Sequence, residues 1–163
     1  MKIGIMGGTF NPIHNAHLLI AEMAREEYGL DRVIFITDGN PPHKSANVTA
    51  KQRFEMTHIA IADNSAFDED DFEINRSEKS YTVNTLGYLK EKYPNDNLFF
   101  IIGEDSLNDF DKWYKPDKIL EMCSLLVFPR KSLKSLTETI KAVKEKMNGR
   151  IFPISAPVFR ISS

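Results

Sequence analysis

The 163-residue chain has one cysteine, Cys123, so an internal disulfide framework is excluded, and no cysteine pair or His-x-x-x-His spacing suggests structural zinc. A basic excess is also missing: 21 Lys and Arg stand against 23 Asp and Glu, a formal net charge of −2. A nucleic-acid partner would more often meet a basic surface, whereas a small anion needs only a few local donors. No apolar run approaches the roughly 18 residues that a membrane-spanning helix requires. The start, Met1-Lys-Ile-Gly-Ile5, carries no signal-peptide pattern. These absences predict a cytoplasmic protein with neither membrane nor nucleic acid as partner. What remains is ordinary globular composition, 42% hydrophobic and 27% charged, which disfavours disordered and fibrous classes. The length suits one domain, and no linker, repeat or low-complexity segment divides it.

Short apolar runs alternate with longer periodic segments. Residues 2–6 read as a buried strand broken by Gly7-Gly8. A helix is expected from about Ala16 to Tyr28, where Leu19, Ile20, Met23 and Ala24 recur at helical spacing and Gly29 is placed as a stop. Residues 33–36 form a second strand. Thr49 and Gln52 make a capping-box pattern for a helix to about Ala62, with Phe54, Ile59 and Ile61 as its expected buried side. A weaker strand spans 67–74, and a helix spans about 83–93. Leu98-Phe-Phe-Ile-Ile102 is the clearest strand, ended by Gly103. Residues 125–128 give another strand, with Cys123 as a buried strand residue in the run from 123 to 128. A Lys-rich helix with a solvated face follows over about 133–147, then a last strand over 150–154. Such alternation predicts an α/β fold, a Rossmann-like parallel sheet with helices on both faces. Ligands of such sheets bind beyond the strand carboxyl ends, which points to the loops after Met6, Ile36, Ile102 and Phe128.

The first of these loops is Gly7-Gly8-Thr9-Phe10-Asn11-Pro12-Ile13-His14-Asn15-Ala16-His17. Its two glycines allow close backbone approach to a bulky anion and tolerate positive φ. The helix mouth after it offers N–H groups and a positive dipole end. His14 and His17, three apart, can face one anion, and Lys44 can add charge. Phosphoryl transfer asks for placed donors rather than a nucleophile. The loop lacks both the Gly-Lys-Ser/Thr of a Walker loop and the Gly-x-Gly-x-x-Gly of a dinucleotide fold.

Residues 8–17 resemble the H-x-G-H signature of the nucleotidyltransferase superfamily in its G-T-F-D-P-x-H-x-G-H form, and within it the nicotinate mononucleotide adenylyltransferase family. Further segments match that family in order: Pro41-Pro42-His43-Lys44 resembles P-P-H-K, Ser80-Tyr81-Thr82-Val83-Asn84-Thr85 resembles S-Y-T-x-x-T, Ile101-Ile102-Gly103-Glu104-Asp105 with Lys112-Trp113-Tyr114 resembles I-I-G-A-D…K-W-Y, and Phe159 to Ser163 resembles the start of I-S-S-T-x-I-R. Their number, order and spacing make the resemblance specific over nearly the whole chain.

The resemblance implies transfer of AMP from ATP to nicotinate mononucleotide, releasing pyrophosphate. His14, His17 and Lys44 would be the catalytic donors. Gly7, Gly8, Thr9, Phe10, Gly103, Asp105, Ser162 and Ser163 would bind ATP, Asp105 through the ribose hydroxyls. Asn40, Thr82, Trp113, Tyr114 and Arg130 would bind the mononucleotide. Trp113 would stack on the pyridine, Thr82 and Tyr114 meet its carboxylate, and Arg130 hold its phosphate. Mg²⁺ would come with ATP as cofactor, held by the nucleotide and water rather than by a protein metal site. The partners would be these two small molecules, with a homo-oligomer compatible.

The chain departs from the family pattern at Asn11, usually Asp, and at Ala16, usually Gly. It ends at Ser163 inside the last motif, so one nucleotidyltransferase domain over 1–163 is expected, without the closing C-terminal helices and with reduced activity. The competing readings are a sister adenylyltransferase using nicotinamide mononucleotide or phosphopantetheine, which His14 disfavours for the latter, and a non-catalytic nucleotide-binding module.

Overall fold

The computed structural model describes residues 1–10, 12–39, 49–76 and 80–155 of the chain. Six strands form one all-parallel sheet: β1 (Lys2–Gly8), β2 (Arg32–Thr37), β3 (Phe67–Asp70), β4 (Asn97–Gly103), β5 (Ser124–Phe128) and β6 (Ile151–Pro153). Their spatial order is β3-β2-β1-β4-β5-β6, the doubly wound arrangement. The helices are α1 (Asn15–Tyr28), α2 (Ala50–Ile61), α3 (Thr82–Lys92), α4 (Glu104–Asn108), α5 (Pro116–Met122) and α6 (Leu133–Lys146), with a 3-10 turn at Phe110–Lys112.

Strand side chains alternate between two cores. On one face Ile3, Ile5, Phe100, Ile102 and Val127 pack with Leu86 and Leu89 of α3, Ile119 of α5 and Leu136 of α6. On the other, Met6, Phe35, Ile101 and Leu126 pack with Ile20, Ala21 and Ala24 of α1 and Ile61 of α2. Helices therefore cover both faces, as the alternating pattern implies. Gly29 stops α1 in the left-handed conformation at φ 63°. The capping box at Thr49 and Gln52 forms, each donating to the other's side chain.

Several expectations need correction. Gly7-Gly8 does not break the first strand: Gly7 and Gly8 pair with Ile36 and Thr37, so β1 reaches Gly8. The ladder to β2 outweighs the weak strand propensity of glycine. The positive φ falls instead on Phe10, at 49°, where a ring buried to 1% exposure and packed on Phe35 offsets the strain. On α2 the buried side is Arg53, Thr57 and Ile61, while Phe54 is only half-buried and Ile59 is 74% exposed. The strand expected over 67–74 stops at Asp70, whose carboxylate accepts from the Phe72 N–H and turns the chain. Cys123 is buried but caps α5, a helix the sequence pattern does not reveal, and its Sγ–H donates to the Ile119 carbonyl.

Candidate active site

Between β1 and β4 the chain turns to opposite sides of the sheet, and a cavity of about 580 Å³ opens at the strand carboxyl ends. Its walls come from the exits of β1 (Gly7, Gly8, Thr9), β2 (Asp38), β4 (Gly103, Glu104, Asp105) and β5 (Arg130), with Thr82 opening α3 and Trp113 after the 3-10 turn. These four exits are the loops the sequence pattern singles out.

His17 sits in the first turn of α1 with 2% exposure and lines this cavity. The His14 N–H donates to its Nδ1 at 3.1 Å, so Nδ1 is an acceptor and the ring proton resides on Nε2. Nε2 is buried and meets no hydrogen-bond partner among the described residues. Burial, with the neighbouring His14 ring as the smaller cause, pulls the His17 pKa from 6.5 down to about 4. At neutral pH the ring is thus an uncharged N–H donor in a place that rewards an anionic acceptor. Its tilt is set by Phe10, which meets it edge-on at 5.2 Å between centroids. Phe10 therefore serves from the core behind the loop. His14 caps α1, is exposed, and stacks at a tilt on His17 with centroids 4.0 Å apart. The two imidazoles are brought together, one inside the cavity and one outside its lining.

Thr82 and Trp113 lie on the same cavity. Trp113 is held at an angle against Phe110, centroids 4.9 Å apart, and edge-on to Phe100 at 6.1 Å. Tyr114 is 48% exposed and outside the lining; its ring lies 4.7 Å from that of Tyr81. Gly103 lets the β4 exit pass under Phe128, whose ring atoms would lie 2.9 Å from a Cβ at that position. Asp105 and Arg130, expected in separate sub-sites, are joined: Arg130 Nη1 donates to Asp105 Oδ1 at 2.9 Å, both side chains largely exposed. Asn40, Lys44, Ser162 and Ser163 lie outside the described residues, as do Asn11 and the Pro-Pro-His-Lys and C-terminal motifs.

Three groups escape the sequence reading. Arg53, fully buried, donates through Nη1 to the carbonyls of Thr9 and Asp38, each at 2.7 Å, and so ties the β1 exit to the β2 exit. Glu73 lines the cavity and accepts from Thr85 Oγ1 at 2.6 Å; burial pushes its pKa up to about 7, with the Thr85 hydrogen bond opposing and Asp38 adding to the rise. Gly39 packs directly against it, since a Cβ there would stand 2.2 Å from the Glu73 carbonyl oxygen. The third, Glu104, is buried to 6% exposure at the start of α4 and accepts three hydrogen bonds, from the Arg130 N–H and from the Ser135 and Thr139 hydroxyls of α6. The Lys-rich helix thus reaches the cavity floor through its hydroxyls. Among the described residues no group of three or more His, Cys, Asp or Glu is placed to hold a metal ion, and no helix is long and apolar enough to cross a membrane.

A family model described as cytidylyltransferase-like matches residues 5–163. A protein of Citrifermentans bemidjiense named "Probable nicotinate-nucleotide adenylyltransferase" is 47% identical over 144 residues, covering 86% of this chain and 67% of its own. A protein of the same name from Caldicellulosiruptor bescii is 42% identical over 165 residues, covering 100% of this chain and 83% of its own. Among solved structures, the Plasmodium falciparum nicotinic acid mononucleotide adenylyltransferase complexed with NaAD superimposes with a TM-score of 0.78 at 22% identity, over 98% of this chain and 77% of that one. That likeness shows a shared fold.

Proposed function

Since the chain belongs to the cytidylyltransferase-like family, we propose that it is a nicotinate-nucleotide adenylyltransferase, joining the AMP of ATP to nicotinate mononucleotide in NAD biosynthesis. The names of its relatives support the substrate pair, and one feature of the site carries the chemistry: a neutral, buried His17 that lines the cavity at the sheet's switch point and whose Nε2–H has no partner among the described residues. An oxygen of the mononucleotide phosphate attacks the α-phosphorus of ATP, a new P–O bond forms, and the bond to the β-phosphate oxygen breaks to release pyrophosphate. The acceptor phosphate is already an anion, so no base is needed, and catalysis reduces to positioning and charge stabilisation.

In this reading His17 donates to the α-phosphate oxygen as charge builds there, with His14 beside it at the helix mouth. Gly7, Gly8 and Thr9 let the triphosphate lie against the β1 exit. Asp105 takes the ribose hydroxyls of ATP and Arg130 the acceptor phosphate, each exchanging its present partner for substrate. Thr82, at the N-terminus of α3, and Trp113 frame the pyridine. Lys44, Asn40, Ser162 and Ser163 keep the roles the family resemblance gives them. Magnesium would come with the nucleotide and neutralise phosphate charge, and the Asp38 carboxylate on the cavity wall is a hard oxygen donor of the type it would take. Small molecules rather than nucleic acid as partners agree with the lack of a basic excess, and a cytoplasmic location is part of this reading.

ATP and the acid mononucleotide together should release pyrophosphate and yield equimolar dinucleotide, and His17→Ala should cost about 10²–10³-fold in kcat. Faster turnover of nicotinamide mononucleotide would shift the assignment to the sister activity. Nucleotide binding without pyrophosphate release would refute catalysis.

A further inference from the structure

We propose that Glu104 is a positioning residue that fixes the backbone at Arg130 and with it the acceptor-phosphate side of the cavity, an inference that rests on the adenylyltransferase reading above. The two oxygens of Glu104 face different elements. Oε1 accepts the Arg130 N–H at 3.1 Å, at the exit of β5. Oε2 accepts the hydroxyls of Ser135 at 3.2 Å and Thr139 at 3.1 Å, both on α6. A buried carboxylate without partners would be costly, and here both oxygens are satisfied, so the group is firmly oriented.

That orientation matters because Arg130 is exposed and follows a loop proline: its guanidinium pairs with the exposed Asp105 carboxylate, while its main chain is tied to the buried Glu104. A long guanidinium side chain grips phosphate well only if its Cα is in place. The Glu104 bond supplies that placement, from the residue adjacent to Asp105. One side chain therefore sets the spacing between the residue assigned to the nucleotide ribose and the residue assigned to the acceptor phosphate. The Oε2 arm braces the carboxylate against α6, and the Oε1 arm does the positioning.

The two arms separate in experiment. Glu104→Ala should raise KM for nicotinate mononucleotide about tenfold or more, the worth of a hydrogen bond to a charged group, and raise KM for ATP far less. Glu104→Gln keeps an oxygen acceptor for the Arg130 N–H and a polar group for the two hydroxyls, and should restore most of the affinity. Ser135→Ala/Thr139→Ala removes the brace to α6; it should lower the melting temperature yet raise KM far less than Glu104→Ala. Amide hydrogen exchange at Arg130, which needs neither substrate nor activity, should accelerate about tenfold or more in Glu104→Ala and stay slow in Glu104→Gln. Wild-type dinucleotide synthesis tests the underlying function separately. The inference fails if Glu104→Ala leaves Arg130 exchange and the mononucleotide KM unchanged, or if the Ser135/Thr139 double variant raises KM as much as Glu104→Ala.

Discussion

Acid should weaken this fold through His17. In the folded chain burial holds the imidazole neutral down to about pH 4, whereas the unfolded chain takes up a proton near 6.5. A depressed folded-state value means that the contribution is fully present above pH 6.5 and drains away as pH falls towards 4. Between about pH 7.5 and 4.5 the difference in proton uptake amounts to about 2–3 kcal/mol, a sizeable fraction of the stability of an ordinary domain. Carboxylates titrate over the same range, so the quantity to measure is a difference between two proteins. His17→Asn cannot titrate, yet its side-chain oxygen can still accept from the His14 N–H. Urea unfolding followed by far-ultraviolet circular dichroism at both pH values should show wild type losing about 2–3 kcal/mol more than the variant. Equal losses would mean that the ring is already charged in the fold, and the neutral-donor account of the site would fall with it.

Glu73 should show the opposite sign. Its folded-state pKa is raised to about 7, so the fold pays increasingly as pH climbs from 4.5 through 7; Glu73→Gln should match wild type near pH 4.5 and exceed it by about 3 kcal/mol near pH 8 in urea unfolding. Arg53→Met should lose about 3 kcal/mol by thermal or urea unfolding, since the carbonyls of Thr9 and Asp38 lose a buried shared donor; a loss below about 1 kcal/mol would show that water replaces it. Gly39→Ala should cost about 3 kcal/mol or more, because the added methyl meets backbone at Glu73 rather than a yielding side chain, and an unchanged melting temperature would contradict that contact.

The parts of the molecule legible in the sequence are those whose causes are local. The apolar run of β4, the glycine stop at Gly29 and the capping box at Thr49 each need only neighbours within a few residues, and each forms. Local signals mislead where a distant partner decides. Arg53 and Thr57 look like a solvated face of α2, yet Arg53 is buried because two carbonyls far along the chain need a donor. The Gly7-Gly8 pair reads as a break until β2, some thirty residues on, lends it a ladder. Helix α5 is short and begins after Lys115 in the left-handed conformation; Pro116 at its first position is the one local sign of it. At the site, glycines, histidines and Asp105 declare themselves by following strands, but the carboxylate of Glu104 and the pairing of Asp105 with Arg130 depend on contacts 25 to 35 residues apart that no spacing rule contains.

The chain has a single tryptophan, and it stands on the cavity wall against Phe100 and Phe110. Every photon of indole emission from this protein therefore originates beside the proposed pyridine seat. A stacked electron-poor ring should quench it, so occupancy can be followed on the unlabelled chain in real time. The same residue is half-buried against the core, so the signal also reports collapse of the wall around it.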